Sequence, residues 1–87
     1  MPTLQGKGNK LIIYGALWCP DTLRSLEFLS KNKIEYEFRD IDKNQEYIDY
    51  VESVNHGLRI IPTIVLPKGT ILTEPSNSQL SKNLKLD

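Results

Sequence analysis

Lys10-Leu11-Ile12-Ile13-Tyr14-Gly15-Ala16-Leu17-Trp18-Cys19-Pro20-Asp21-Thr22 is the stretch on which the reading of this chain turns. Its first five residues form a nearly continuous apolar run, rich in β-branched and aromatic side chains and closed by Gly15. Such a run reads as a strand buried on both faces, hence central in a sheet. At Pro20 the period changes: Leu23, Leu26 and Leu29 recur every three residues, while Arg24, Glu27 and Lys31 can face water. Pro20 suits a first helical position, where its missing N–H costs nothing. The pattern predicts a helix from about Pro20 to Asn32, with Cys19 directly at its start.

Downstream, Ile34, Tyr36 and Phe38 alternate with Glu35, Glu37 and Arg39, the pattern of a half-buried strand. Asp40 and Asp42 end that strand, and Asp42 can cap the next helix. Tyr47, Ile48, Val51 and Val54 stand at helical spacing, closed by Asn55-His56-Gly57 with glycine at the C′ position. Two further apolar runs, Ile60–Leu66 and Thr70–Thr73, flank Pro67-Lys68-Gly69 and predict a hairpin. Ser76 followed by Gln79 is a capping box, and Leu80 with Leu84 gives a last helix its apolar stripe. The expected order is β-α-β-α-β-β-α, with the first strand–helix–strand unit parallel and right-handed. Both faces of the four-stranded mixed sheet then need helices over them. This α/β arrangement, one sheet flanked by three helices, is similar to the thioredoxin fold in its minimal form.

Bulk properties bound the function. A chain of 87 residues suits one domain, expected over 1–87 with residues 1–9 as a flexible polar leader. Its 11 basic and 11 acidic residues cancel, so no nucleic-acid footprint is expected. No run approaches the roughly 20 apolar residues that span a bilayer, and residues 1–10 lack the apolar centre of a secretory signal. A single cysteine cannot form an internal disulfide, which points to a reducing, cytoplasmic setting. No His/Cys/Asp set has metal-ligand spacing, and no metal is assigned.

A lone cysteine is more often a small buried apolar residue than a nucleophile. Cys19 differs by position. Free N–H groups of a helical first turn lie beside it and the helix dipole favours negative charge there. The thiolate is the nucleophile. Asp21 works against this by repulsion. Trp18 is either core or a flat apolar wall beside the sulfur. Pro62, between apolar stretches, either starts an edge strand in trans or forms a cis bond that turns the Ile61 backbone toward the helix start. The Ile61 N–H and C=O are then free to pair with an extended thiol peptide, as an added strand would. The helix start at Ser76-Asn77 offers free N–H groups to a carboxylate. Arg59 is either a solvated charge or a carboxylate partner. Tyr47 and Tyr50 read as packing residues, and His56 is assigned no catalytic part.

Tyr14-Gly-Ala-Leu-Trp18-Cys19-Pro20-Asp21-Thr22, followed by Ile60-Ile61-Pro62-Thr63, resembles a glutaredoxin active site with its cis-proline loop. The resemblance runs from about Lys10 to Leu84. It implies glutathione as co-substrate, with glutathionylated proteins or small mixed disulfides as partners of a monomer. By that resemblance Cys19 is the nucleophile, Ile61 and Pro62 pair with the glutathione backbone, Ser76 and Asn77 receive one carboxylate, and Arg59 engages the other. Trp18, Pro20, Asp21 and Thr22 surround the sulfur. Thr22 stands where dithiol members have a resolving cysteine, which leaves the monothiol route, with glutathione resolving the intermediate. Thr73-Glu74-Pro75 replaces the usual Gly-Gly, and Glu74 would repel an incoming carboxylate. The alternatives are a thioredoxin-fold adaptor without turnover, or an iron–sulfur cluster bridging two chains through Cys19 and glutathione. Pro20 in place of the glycine of cluster-binding members weighs against the last.

Overall fold

Strand β1 (Leu11–Gly15) lies between β2 (Tyr36–Asp40) and β3 (Thr63–Val65), and β4 (Ile71–Thr73) closes the far edge, giving the order β2-β1-β3-β4. The structure, a computed structural model, describes residues 10–86; the leader expected over 1–9 lies outside the described residues. β1 runs parallel to β2, with Leu11 opposite Tyr36 and Gly15 opposite Asp40, and antiparallel to β3, with Ile13 opposite Ile64. Helices α1 (Pro20–Lys31), α2 (Gln45–Val54) and α3 (Asn77–Leu84) complete the predicted order.

The alternation of β1 sorts the helices into layers. Leu11 and Ile13 face one side, where they meet Leu29 of α1, Leu80 of α3, Ile64 and Leu66. Ile12 and Tyr14 face the other, against Val51 of α2, Ile41 and Ile61. Ile13, Ile64, Leu29 and Leu80 are fully buried, and each such side chain contributes roughly 1.5–3 kcal/mol by leaving water. Two-sided burial of the first strand is therefore what makes this sheet a central layer. On the α2 side, Tyr14 stacks on Tyr50 at 4.7 Å and meets Tyr47 edge-on at 5.8 Å. Arg39 donates to the Tyr14 hydroxyl at 2.8 Å and to Glu37 at 2.6 Å. That carboxylate holds the guanidinium above its ordinary range, while burial pushes the Tyr50 phenol up.

Several local expectations shift. Helix α1 buries Thr22, Ser25 and Leu29 rather than a pure leucine stripe, and Leu23 is exposed. The reason is the close approach of β1: a Cβ on Gly15 would lie 2.5 Å from Thr22 Oγ1, leaving no room for a larger helix side chain. Helix α2 is capped by Asn44, whose side chain accepts from the Glu46 N–H at 2.9 Å, and not by Asp42. A turn closed by the Lys43 N–H on the Asp40 carbonyl sets Asp42 too early to cap. At the other end of α2 the left-handed C′ residue is His56, and Gly57 comes after it, donating to the Glu52 carbonyl at 2.7 Å. The hairpin turn and the Ser76–Gln79 capping box form as predicted, with the Gly69 N–H on the Leu66 carbonyl at 2.8 Å. No helix among the described residues is long and apolar enough to cross a membrane.

Candidate active site

The chain leaves β1 at Gly15 and makes one tight turn, the Cys19 N–H donating to the Ala16 carbonyl at 3.0 Å. Cys19 has extended backbone (φ −94°, ψ 118°) and is the N-cap of α1, its carbonyl accepting the Leu23 N–H at 3.0 Å. Pro20 occupies the first helical turn without an N–H to satisfy, so the Asp21 and Thr22 N–H groups are those left without helical acceptors. The Cys19 side chain makes no capping hydrogen bond. It is half-buried, packed against the cluster of Tyr14, Ala16, Ile41, Val51 and Ile61. The sulfur is thus neither sealed in the interior nor loose on the surface. Thr22 is wholly buried, its hydroxyl accepting the Ala16 N–H at 3.4 Å.

Trp18 is 67% exposed, so it is not core. Its indole N–H donates to Asp42 at 2.8 Å, tying the turn before Cys19 to the turn after β2. The bond leaves no trace in the sequence because its partners are 24 residues apart. Trp18 is the chain's single tryptophan, so its emission reports the contact directly. Asp42→Ala should raise indole mobility, seen as lower fluorescence anisotropy. The accompanying loss of stability should stay within about 1 kcal/mol, as for an exposed hydrogen bond to a charged group. An unchanged anisotropy would show that the bond does not restrain the ring.

The Ile61–Pro62 bond is cis, and both residues are buried. Ile61 lies just outside β3, and its main-chain N–H and C=O have no partner among the described residues. The Pro62 carbonyl accepts the Glu74 N–H at 2.8 Å, which brings the segment before α3 against this loop. Arg59 is exposed and stands 3.7 Å from Glu52, a loose surface pair.

At the start of α3, Ser76 and Gln79 satisfy each other: the Ser76 N–H donates to the Gln79 side chain and the Gln79 N–H to the Ser76 hydroxyl. Of the two residues expected to receive a carboxylate, Asn77 keeps its N–H without a partner among the described residues. Arg24 joins the two helix starts. It donates to the Asn77 side-chain oxygen at 2.8 Å and to the Pro75 carbonyl at 3.3 Å, and lies 3.5 Å from Asp21. A cleft of about 480 Å³ opens there, lined by Asp21, Arg24, Glu74, Ser76, Asn77 and Gln79. Arg24 reads from sequence as a solvated charge; its i,i+3 spacing from Asp21 is the one local signal of its orientation. Glu74 has φ +47°, a left-handed backbone that costs a non-glycine residue roughly 1–2 kcal/mol.

A family model described as Glutaredoxin matches residues 11–71. A Mycobacterium tuberculosis protein provisionally named a glutaredoxin is 38% identical over 74 residues, covering 85% of this chain and 88% of that protein. Mycoredoxin 1 of Corynebacterium glutamicum is 37% identical over 67 residues, 77% of this chain and 82% of that protein. Among solved structures, the glutaredoxin (grx-1) of Archaeoglobus fulgidus aligns with a TM-score of 0.75 at 27% identity, over 93% of this chain and 90% of that chain. The thioredoxin-like protein BC3987 shares the fold, with a TM-score of 0.67 at 24% identity, over 90% of this chain and all of that one.

Proposed function

This chain belongs to the glutaredoxin family, and from that premise we propose that it is a monothiol thiol–disulfide oxidoreductase with Cys19 as nucleophile and glutathione as co-substrate. The observation that carries this is the placement of the single thiol: half-buried at the N-cap of α1, with buried Thr22 where a second thiol would have to be. Backbone N–H groups of the first turn and the helix dipole favour an anion at that place. The Cys19 thiolate attacks the glutathione sulfur of a mixed disulfide. A Cys19–glutathione disulfide forms as the substrate's S–S bond breaks, and the substrate leaves as a thiolate that takes a proton from water. A second glutathione, as thiolate, attacks the glutathione sulfur on Cys19, releasing oxidised glutathione and regenerating the Cys19 thiolate.

In this reading the glutathione main chain pairs with the open N–H and C=O of Ile61 beside Pro62. One of its carboxylates enters the cleft at Asn77, with Arg24 as the nearby cation, and Arg59 takes the other. Trp18 borders the substrate on the solvent side. The protein acts as a monomer. Mixing it with oxidised glutathione should add one glutathione to Cys19 by intact mass, and reduced glutathione should remove it. A protein that stays unmodified under excess oxidised glutathione would overturn the proposal.

Charge in the cleft gives a second measurable consequence. Asp21 and Glu74 present two carboxylates against one guanidinium, an unfavourable balance for an entering carboxylate. Coulomb repulsion across several ångströms near a surface is worth about 1 kcal/mol, so Glu74→Gln should lower KM for glutathione roughly fivefold. The gain should shrink in high salt. A KM unchanged at low salt would place the glutathione carboxylate elsewhere.

A further inference from the structure

Asn55 ends α2, is buried, and commits its side chain to three separate segments. Its amide donates to the Val51 carbonyl at 2.8 Å and to the Thr63 hydroxyl at 3.0 Å, and its oxygen accepts from the Thr73 hydroxyl at 2.8 Å. The Thr63 hydroxyl in turn donates to the Ile60 carbonyl at 2.7 Å. Every donor in this circuit meets an acceptor, and the Val51 carbonyl, which can only accept, fixes which way the amide points. We infer that Asn55 is a positioning residue: through Thr63 and Thr73 it sets the docking backbone of Ile61 for the disulfide substrate.

Three features separate this role from ordinary helix capping. The end of α2 is already closed by the Gly57 N–H on the Glu52 carbonyl at 2.7 Å, so the cap does not need the Asn55 side chain. Thr63 and Thr73 already face each other across the β3–β4 ladder, so the sheet does not need it either. What the circuit adds lies outside the ladder. The Ile60 carbonyl is held by Thr63, and the Pro62 carbonyl is held by the N–H of Glu74, the residue after Thr73. Ile61, whose own main-chain groups have no partner among the described residues, is suspended between those two fixed carbonyls. A buried polar circuit fully satisfied in this way rigidifies its surroundings.

The inference rests on the proposed exchange at Cys19 with docking on Ile61, and the test separates the two. Steady-state reduction of a glutathionylated peptide is measured for wild type, Cys19→Ser, Asn55→Ala, Thr63→Val, Thr63→Ser, Thr73→Val and Thr73→Ser. Alkylation of Cys19 by iodoacetamide, which needs no docking, is measured in parallel for each variant that keeps the thiol. Asn55→Ala and Thr63→Val should raise KM for the peptide at least roughly fivefold, each losing a hydrogen bond that steadies the docking segment. Their kcat and alkylation rates should stay within about twofold of wild type. Thr63→Ser and Thr73→Ser, which keep the hydroxyl, should restore wild-type KM. If Asn55→Ala does not fold, Thr73→Val on the exposed edge strand carries the same expectation. A KM unmoved in folded variants, or alkylation and kcat falling together with it, overturns the positioning role. A wild type no faster than Cys19→Ser overturns the exchange reading itself.

Discussion

Gly15→Ala should cost about 2–3 kcal/mol of folding stability, at the upper end of what overpacking a well-filled core does. A Cβ there would lie 2.5 Å from Thr22 Oγ1 and 2.6 Å from its Cγ2, well inside contact distance. Thr22 cannot swing aside, because it is fully buried and its hydroxyl accepts the Ala16 N–H. The penalty is one of space, since Gly15 has no left-handed φ. For a domain of this size the loss corresponds to a fall in Tm of about 10–20 °C. Thr22→Ala in the same background removes the obstructing atoms, so the double variant should recover much of the loss. The double-mutant cycle should then give a coupling above about 1 kcal/mol. Thermal unfolding monitored by circular dichroism checks this, and strict additivity would mean that β1 and α1 are not in contact at this point.

Cys19→Ser should reduce exchange to the uncatalysed rate between glutathione and the substrate. The effect is set by chemistry rather than by packing. A serine hydroxyl is close in shape, so folding should be untouched, but it forms no disulfide and the proposed covalent intermediate cannot form. With one cysteine in the chain, no second thiol can substitute. The measurement is glutathione-dependent reduction of a glutathionylated peptide, with circular dichroism to show that the variant is folded. Residual turnover above background in Cys19→Ser would remove the sulfur from the mechanism.

The architecture was legible because its signals are local. The two-sided apolar run at Leu11–Tyr14, the period change at Pro20, the Pro67-Lys68-Gly69 turn and the Ser76–Gln79 box each lie within a few residues and each formed. What escaped is long-range. Trp18 reaches Asp42, Arg24 reaches Asn77, and Asn55 reaches Thr63 and Thr73. None of these pairs leaves a periodic trace, since two polar side chains brought together by folding look like separate surface residues in the sequence. In α1 Leu26 and Leu29 join the core as their spacing predicts, and Leu23 does not. Periodicity reports which side chains prefer to be dry, but the strand packed closest to the helix leaves room only for a small one at Thr22. In the candidate site the place of Cys19 at a helix start and the cis Ile61–Pro62 loop were readable from position and spacing, and the cation that bridges the two helix starts was not.

The central place of β1 has a consequence for how the protein is made. Ile12 pairs with Val65, so one flank of the first strand stays bare until the chain has been extended past residue 65. At ribosomal rates of about 5–20 residues per second, synthesis of the intervening stretch leaves that edge open for on the order of 3–10 s. During that interval Leu11–Tyr14 is an apolar strand with an unfilled row of backbone donors and acceptors, a template for pairing with other nascent chains. Truncations that remove the β3–β4 hairpin would make that exposure permanent, and such fragments should aggregate rather than remain monomeric.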